Sequence, residues 1–464
     1  MALSDSFLQE LKMKTDIEDV ISTYVTLKRR GATLVGLCPF HNEKTPSFTV
    51  YPATQSFYCF GCGAGGDAIT FLKKIENLDY LDAVKTLAQR AGLQMPQEGF
   101  DDSLSKRRRR ILEMNREAAR FYHSVLLSPE GKVGYDYYIG RALSAATINH
   151  FGLGFAPNQW DALLKHMRAK GYQPAELVDA GLARKGQKGY YDNFRNRVMT
   201  PIIDVRGNVI AFGGRVLDDS KPKYINTGDT LVYKKTNELF ALNFAKDSKE
   251  DALILCEGYM DVIALHQAGF TNAVASLGTA FTEQQANLIR RYTDEVLLTY
   301  DSDGAGIKAA MRAIPMLRRA GITGKVIHME PYKDPDEFIK NLGAEEFEKR
   351  MEEAQNSFFF EIEVIKKNYS MSDPEQKTKF VHETARKLLV FEDKIQRDNY
   401  LEAVAARYNI KTEDLRQLVV RYGNQMPSGY QEVMEERQQE RIRKGKKKET
   451  REGISYSYRL LLSW

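Results

Sequence analysis

Between residues 253 and 317 a short apolar run stops at an acidic residue, meets glycine and gives way to a helical pattern, and this happens twice. The first copy reads Leu253-Ile254-Leu255-Cys256-Glu257-Gly258, followed by Val262, Leu265 and Ala268 at helical spacing. The second reads Val296-Leu297-Leu298-Thr299-Tyr300-Asp301-Ser302-Asp303-Gly304, followed by Ile307, Ala310, Met311, Ile314 and Leu317. Apolar runs of this length, each with a 3.6-residue period behind it, are the pattern of parallel β-α units. Ligands of such sheets gather at the carboxyl ends of the strands, so Glu257, Asp301 and Asp303 are expected on one rim despite their separation in the chain. Three carboxylates there would hold a hard cation, and Mg²⁺ chemistry makes phosphoryl transfer the expected reaction class. Asp before Gly-Ala-Gly is also a common helix cap, which leaves Asp303 a purely structural alternative.

A second constraint comes from cysteine. Of four cysteines, Cys38, Cys59 and Cys62 fall close together with His41 among them, as Cys38-Pro-Phe-His41 and Cys59-Phe-Gly-Cys62. Two ligand pairs, each separated by two residues, suit two knuckle turns around one tetrahedral ion, which is the spacing of a zinc ribbon. Four protein ligands leave no open position, so the expected zinc is structural. Between the knuckles Lys44, Ser47, Phe48, Thr49, Phe57, Tyr58 and Phe60 mix aromatic with polar groups. They form either the core of a small module or a stacking surface for single-stranded bases.

The third signal is positive charge. Arg195 and Arg197, spaced by two at the front of a strand-like run, are expected to face one side of a sheet. Gly213-Gly214-Arg215, Lys221-Pro-Lys223-Tyr224 and Tyr233-Lys234-Lys235 follow. Such a face suits a nucleic-acid backbone held without regard to sequence; a merely solvated face is the alternative. Lys106 to Arg110 and the eight Lys or Arg between 437 and 451 read as solvated linker and tail.

Several of these strings resemble one known family. Glu257-Gly-Tyr-Met-Asp261 with Asp301-Ser-Asp303 looks like the toprim fold of primases, topoisomerases and related nucleases. The pair Asp334-Pro335-Asp336, behind the strand-like Lys325-Val326-Ile327-His328, is similar to the toprim region of bacterial DnaG-type primases. The run Cys38-Pro-Phe-His-Asn-Glu-Lys-Thr-Pro-Ser-Phe48 with Phe57-Tyr-Cys-Phe-Gly-Cys-Gly63 is similar to the zinc-binding domain of the same family, which engages template DNA. The resemblance implies Glu257 as catalytic glutamate, Asp301 and Asp303 as Mg²⁺ or Mn²⁺ ligands, and Asp261, Asp334 and Asp336 as further acids of that metal site. It also places Arg195, Arg197, Lys223 and Lys235 among the basic residues of the catalytic core.

The expected architecture is multidomain α/β. A zinc ribbon (1–98) and a linker (99–110) precede a basic mixed α+β subdomain (111–245), a toprim α/β subdomain (246–337) and a helical subdomain (338–423), with a basic tail behind them. The implied function is synthesis of short RNA primers from ribonucleoside triphosphates on a single-stranded DNA template. A toprim nuclease or topoisomerase and a non-catalytic zinc DNA-binding protein are the alternatives, and no nucleophilic tyrosine context favours the former. No Gly-x-x-x-x-Gly-Lys-Ser/Thr loop supports a fused helicase. The domain with which relatives bind the replicative helicase is expected to be missing. At 464 residues, with a net charge of +5, no long apolar span and no signal-peptide pattern, the chain is expected to be cytoplasmic.

Overall fold

The computed structural model describes residues 5–425 apart from 42, 44, 77, 79, 96–101 and 279. Lys44 and the expected basic tail therefore lie outside the described residues. The chain divides into two compact units that part between Ser357 and Phe358.

The first unit opens with an antiparallel meander of β1 (Lys28–Arg30), β2 (Thr33–Gly36), β3 (Phe48–Tyr51), β4 (Ser56–Cys59) and β5 (Gly65–Gly66). Strand alternation sends Phe48 and Phe57 inward, where they meet Phe40 and Phe71 at ring separations of 5.2 to 6.1 Å. The helix Ala68–Ile75 contributes Phe71 and starts on an Asp67 cap. The short helix Ile17–Ser22 is capped by Asp16, one residue after the Thr15 that a capping box would use.

A long helix, Asp102–Leu126, takes up residues 102–110 of the expected linker 99–110. Its basic run does not stay solvated as a block. Arg107 pairs with Asp179 at 3.0 Å, and Arg110 pairs with Glu176 at 3.0 Å while stacking over Tyr172. Ion pairs and helix propagation thus extend the helix back into the run. The helix packs beside an antiparallel sheet ordered β11 (Tyr224–Asn226), β10 (Val209–Val216), β9 (Arg197–Ile203) and β6 (Gly154–Ala156). A separate hairpin, β7 (Ala183–Gly186) with β8 (Gly189–Asp192), stands beside it in the chain.

The repeated acidic motif forms the expected parallel sheet. Its order is β13 (Ala273–Ala275), β12 (Ala252–Cys256), β14 (Glu295–Thr299) and β15 (Thr323–Val326), with β16 (Gln355–Asn356) added antiparallel at the edge. One apolar core joins this sheet to the antiparallel one: Val198, Ile202 and Ile210 share a cluster with Ile254, Val262 and Leu297. A boundary at 245 therefore divides residues that bury one another. The boundary at 337 falls inside the helical stretch that starts at Pro335 and is interrupted at Gly343, where φ is +81°. Phe338 and Phe347, on either side of that break, are fully buried against Phe270 and each other in the same core.

The second unit is helical, built from Ser357–Lys366, Pro374–Leu388, Lys394–Arg407 and Thr412–Asn424. Phe358, Ile362, Phe380, Leu388, Leu401 and Val404 make its core. Glu361, fully buried, is neutralised by Lys387 at 2.6 Å, as a carboxylate in that position must be.

His266 gives the first unit a pH dependence. It is buried beside Phe151 and Phe244, its Nε2 bonds the Ala273 carbonyl at 2.9 Å, and burial lowers its pKa to about 4. A folded-state value below the unfolded one means that the unfolded chain binds the extra proton. The penalty is absent above pH 6.5 and grows as pH falls toward 4, reaching about 3 kcal/mol. His266→Gln keeps a donor for Ala273 but cannot titrate, so its loss of stability from pH 6.5 to 4 should be shallower by about that amount in denaturant titrations. Parallel curves for the two proteins would refute the assignment.

Candidate active site and metal centre

The zinc ligands converge as their spacing requires. Among the described residues, Cys38, His41, Cys59 and Cys62 are the group whose metal-binding atoms all lie within 4.8 Å of one another. Cys38 Sγ is 3.8 Å from Cys62 Sγ, and His41 Nδ1 is 3.6 Å from Cys59 Sγ. Zinc with Zn–S bonds near 2.3 Å in a tetrahedron needs edges of about 3.8 Å, so the ion fits. The sequence reading missed Glu43. Its Oε2 stands 3.2 Å from His41 Nε2, and its Oε1 accepts the backbone N–H groups of Cys38 at 2.7 Å and Ser47 at 2.9 Å. A carboxylate on the far imidazole nitrogen fixes the tautomer that offers Nδ1 to a metal. Only its place five residues after Cys38, in a loop with little regular structure, could have drawn attention to it.

The aromatics of this module are divided by strand face. Phe48 and Phe57 are core, whereas Tyr58 and Phe60 point outward, and Phe60 is 57% exposed. Tyr58 lies in register with Thr49 and Gly65, Thr49 with Val35, and Val35 with Lys28, giving a row across the sheet that ends in positive charge. A side chain at Gly65 would run into the Tyr58 ring at 2.8 Å, so glycine gives that ring its seat.

At the other end of the unit, Glu257 follows β12 and Asp301 follows β14, strands paired in register from Ala252 opposite Glu295 to Cys256 opposite Thr299. Burial and then the Asp301 charge raise the Glu257 pKa, and the nearby Asp301 backbone opposes that shift. Any side chain at Gly306 would collide with the Asp301 carbonyl, so glycine lets the helix Gly304–Arg319 start hard against the rim. Asp303 caps that helix: its Oδ1 accepts Ala305 and Gly306 N–H, both at 2.9 Å. Its Oδ2 instead faces Lys333 Nζ at 3.6 Å, and Asp301 Oδ2 lies 3.2 Å from the same nitrogen. The cap and the cation-facing role of Asp303 thus coexist on different oxygens.

Asp334 caps the next helix through the Glu337 N–H at 2.9 Å. Asp261 is buried, accepts Gly258 N–H at 3.1 Å, and has its pKa pushed well up by burial and by Asp334, Asp301 and Asp336. Asp336 is buried, and its Oδ2 is held by Arg141 at 2.7 Å and Lys340 at 2.8 Å, a clasp between Arg141 and the helix that starts at Pro335. Its Oδ1 has no hydrogen-bond partner among the described residues.

The two arginines do not share a face. Asn196 between them has φ +50°, which breaks the strand alternation that the spacing argument assumed. Arg197 turns inward, only 6% exposed, and gives its guanidinium to the carbonyls of Gly214, Pro222 and Lys223 at 3.1, 3.0 and 3.3 Å. It props the Lys223 loop. Arg195 stays outside, stacked 4.3 Å over Trp160 and 5.3 Å over Tyr191. Trp160, 67% exposed, went unnoticed in the sequence because a lone tryptophan has no periodic signature. Lys223 is exposed beside Tyr224, and Lys235 is half-buried with its carbonyl accepting Gln285. Arg215, quoted but unassigned from sequence, stacks over Tyr137 at 4.8 Å. The basic sheet meets the rim where Tyr259 hydroxyl donates to Asn226 Oδ1 at 2.9 Å, next to a small cleft lined by Thr200, Gly213, Arg215, Tyr224 and Met260.

Comparison with known proteins gives this geometry its relatives. Residues 3–102 match the CHC2 zinc finger family, 121–246 the DNA primase catalytic core, N-terminal domain, and 254–339 the Toprim-like family. A DNA primase of Clostridium acetobutylicum is 40% identical over 423 residues, which is 90% of this chain and 70% of its own length. The chain belongs to the bacterial DnaG-type DNA primase family. The primase is also 38% identical over 417 residues to the DNA primase of Halalkalibacterium halodurans, covering 88% of this chain and 70% of that one. The crystal structure of the Aquifex aeolicus primase, zinc-binding and RNA polymerase domains, aligns with TM-score 0.58 and 35% identity over 89% of this chain and 99% of its own. A DnaG primase catalytic domain bound to single-stranded DNA aligns with TM-score 0.60 and 32% identity over 67% and 99%.

The activity is therefore that of a nucleotidyltransferase that makes RNA primers, and neither DNA breakage nor a non-catalytic role is favoured. Zinc belongs to the Cys/His module, and the Toprim-like match implies a divalent metal at the acidic rim. One expectation is overturned: residues 359–413 match the DnaB-helicase binding domain of primase, so that region, read from sequence only as a helical subdomain, is a match to the domain thought missing. Its signal is an amphipathic helix pattern that many helical bundles share. No described helix is long and apolar enough to cross a membrane.

Proposed function

We propose that primer synthesis runs on the rim formed by Glu257, Asp301, Asp303, Asp261 and Asp334, with Arg195, Lys223 and Lys235 holding phosphates opposite it. The Tyr259–Asn226 bond carries this reading, because it joins Glu257-Gly-Tyr259 to the strand that follows Lys223. In the reaction the primer 3′-oxygen bonds the α-phosphorus of a ribonucleoside triphosphate, the bond to the β-phosphate bridging oxygen breaks, pyrophosphate leaves, and the hydroxyl proton passes to water. Mg²⁺ or Mn²⁺ held by Asp301, Asp303 and Glu257 would supply the Lewis acidity that sharpens the hydroxyl and neutralises phosphate charge. The carboxylates are suited to this because Asp303 keeps one oxygen for its helix and turns the other to the rim. Asp336 acts through Arg141 and Lys340, as a positioning residue.

The template is single-stranded DNA. Exposed Trp160, with Arg195 stacked over one ring face, offers a base-stacking surface on its other face, and Tyr58 with Phe60 offers another on the zinc module (1–98). The units that act are that module, a catalytic core continuing to 357, and the helices behind it. Those helices are read as the contact for a replicative helicase, and replication places the chain in the cytoplasm.

The test is direct. With single-stranded DNA, Mg²⁺ and labelled ribonucleoside triphosphates the protein should yield short RNA; cleaved DNA, or retention without RNA, would refute the reading. In the same assay Trp160→Ala should weaken template affinity by about five- to a hundredfold on unrelated sequences alike, as loss of one stacked base implies. Lys223→Ala should reduce the salt slope of binding by about one phosphate contact. Unchanged affinity and slope would return both residues to a solvated surface.

A further inference from the structure

Lys333 stands where a cation belongs. Its ammonium nitrogen is 3.2 Å from Asp301 Oδ2 and 3.6 Å from Asp303 Oδ2. The backbone that carries it is tied down beside those aspartates. The Ser302 N–H donates to the Lys333 carbonyl at 2.9 Å, Ser302 Oγ donates to the Tyr332 carbonyl at 3.2 Å, and the Lys333 N–H reaches Glu337 Oε2 at 3.3 Å. A fixed anchor thus bears a point charge on a flexible four-carbon stem, and that side chain is 53% exposed. Glu257 and Asp334 add to the negative field at its tip. Repulsion among these carboxylates would splay them if nothing positive stood between.

We propose that Lys333 is a tethered counter-ion, holding Asp301 and Asp303 together until a divalent ion displaces it and thereby setting how tightly that ion is retained. The inference rests on the metal-binding reading of the rim. Displacement needs only rotation of the stem, since the three hydrogen bonds that hold residues 332 and 333 all lie behind the ammonium. A half-exposed ion pair contributes little, so it yields readily to a doubly charged ion that binds carboxylate oxygens directly. The amine remains a competitor nonetheless, and its removal should tighten metal binding. A ligand-supporting residue would do the opposite.

The experiment titrates Mn²⁺ into the full-length, zinc-loaded chain without nucleotide or DNA and reads free Mn²⁺ by electron paramagnetic resonance. Lys333→Met should lower the dissociation constant by about three- to fivefold, the most that a half-exposed pair allows. Lys333→Gln should do the same, which guards against a folding defect peculiar to methionine, and Lys333→Arg, which keeps the charge, should remain near the parent value. Asp301→Asn should weaken binding. If Asp301→Asn loses Mn²⁺ while both neutral variants bind as the parent does, or more weakly, the counter-ion inference fails and the metal site stands. If the parent binds no Mn²⁺, or Asp301→Asn binds it equally, the reading of the rim fails and the inference falls with it.

Discussion

Glu257→Gln should make primers at least about a hundredfold more slowly than the parent chain while binding single-stranded DNA almost unchanged. The substitution is nearly isosteric, so the packing around the side chain should survive it. What disappears is a negative charge at the rim, where burial and Asp301 already make ionisation costly. A group needed mainly as charge develops in the transition state affects turnover far more than affinity. The check is a pair of measurements on one preparation: initial rates of primer formation at saturating Mg²⁺, and template affinity by fluorescence anisotropy. Parent-like rates would make Glu257 a structural acid. A parallel loss of affinity would instead mean that the rim helps to hold the template.

The second large effect is expected at the zinc module. The purified chain should contain about one zinc, and Cys59→Ser should lose it and unfold residues 5–95 ahead of the remainder. Cys59 is fully buried, and beneath it lies a core built largely on Phe40, Phe48, Phe57 and Phe71. So small a module draws much of its folding free energy from the ion, on the order of 10 kcal/mol in isolated zinc-finger peptides. Elemental analysis and a thermal scan followed by protease digestion test both halves of the claim. Zinc content unchanged by the substitution would remove the site, and zinc loss without exposure of this segment to protease would remove its structural role.

How far the sequence could be read depended on whether a residue's job is local. The zinc ligands and the acids at the strand ends were legible because turn geometry and strand direction, both short-range, decide where they go. Phe48 and Tyr58, by contrast, belong to one string of aromatics and were separable only once strand pairing told inside from outside. Arg197 misled for a related reason. The two-residue period holds within a strand, and one residue at positive φ was enough to turn Arg195 out and Arg197 in. The clasp on Asp336 was invisible because its partner Arg141 lies 195 residues away, beyond anything local pattern can register. Trp160, Glu43 and Lys333 likewise acquire meaning only from neighbours that folding supplies. The core shared across 245 and 337 was likewise hidden, since Phe338 and Phe347 are apolar residues of helical stretches whatever they bury into.

The division of labour on Asp303 has a bearing on the exchange of ions at the rim. One oxygen keeps the helix Gly304–Arg319 wound and the other faces the cation, so the helix start is indifferent to whether ammonium, divalent metal or water occupies the second. Under the proposed reading of the rim, exchange of that occupant leaves both hydrogen bonds at the helix start in place.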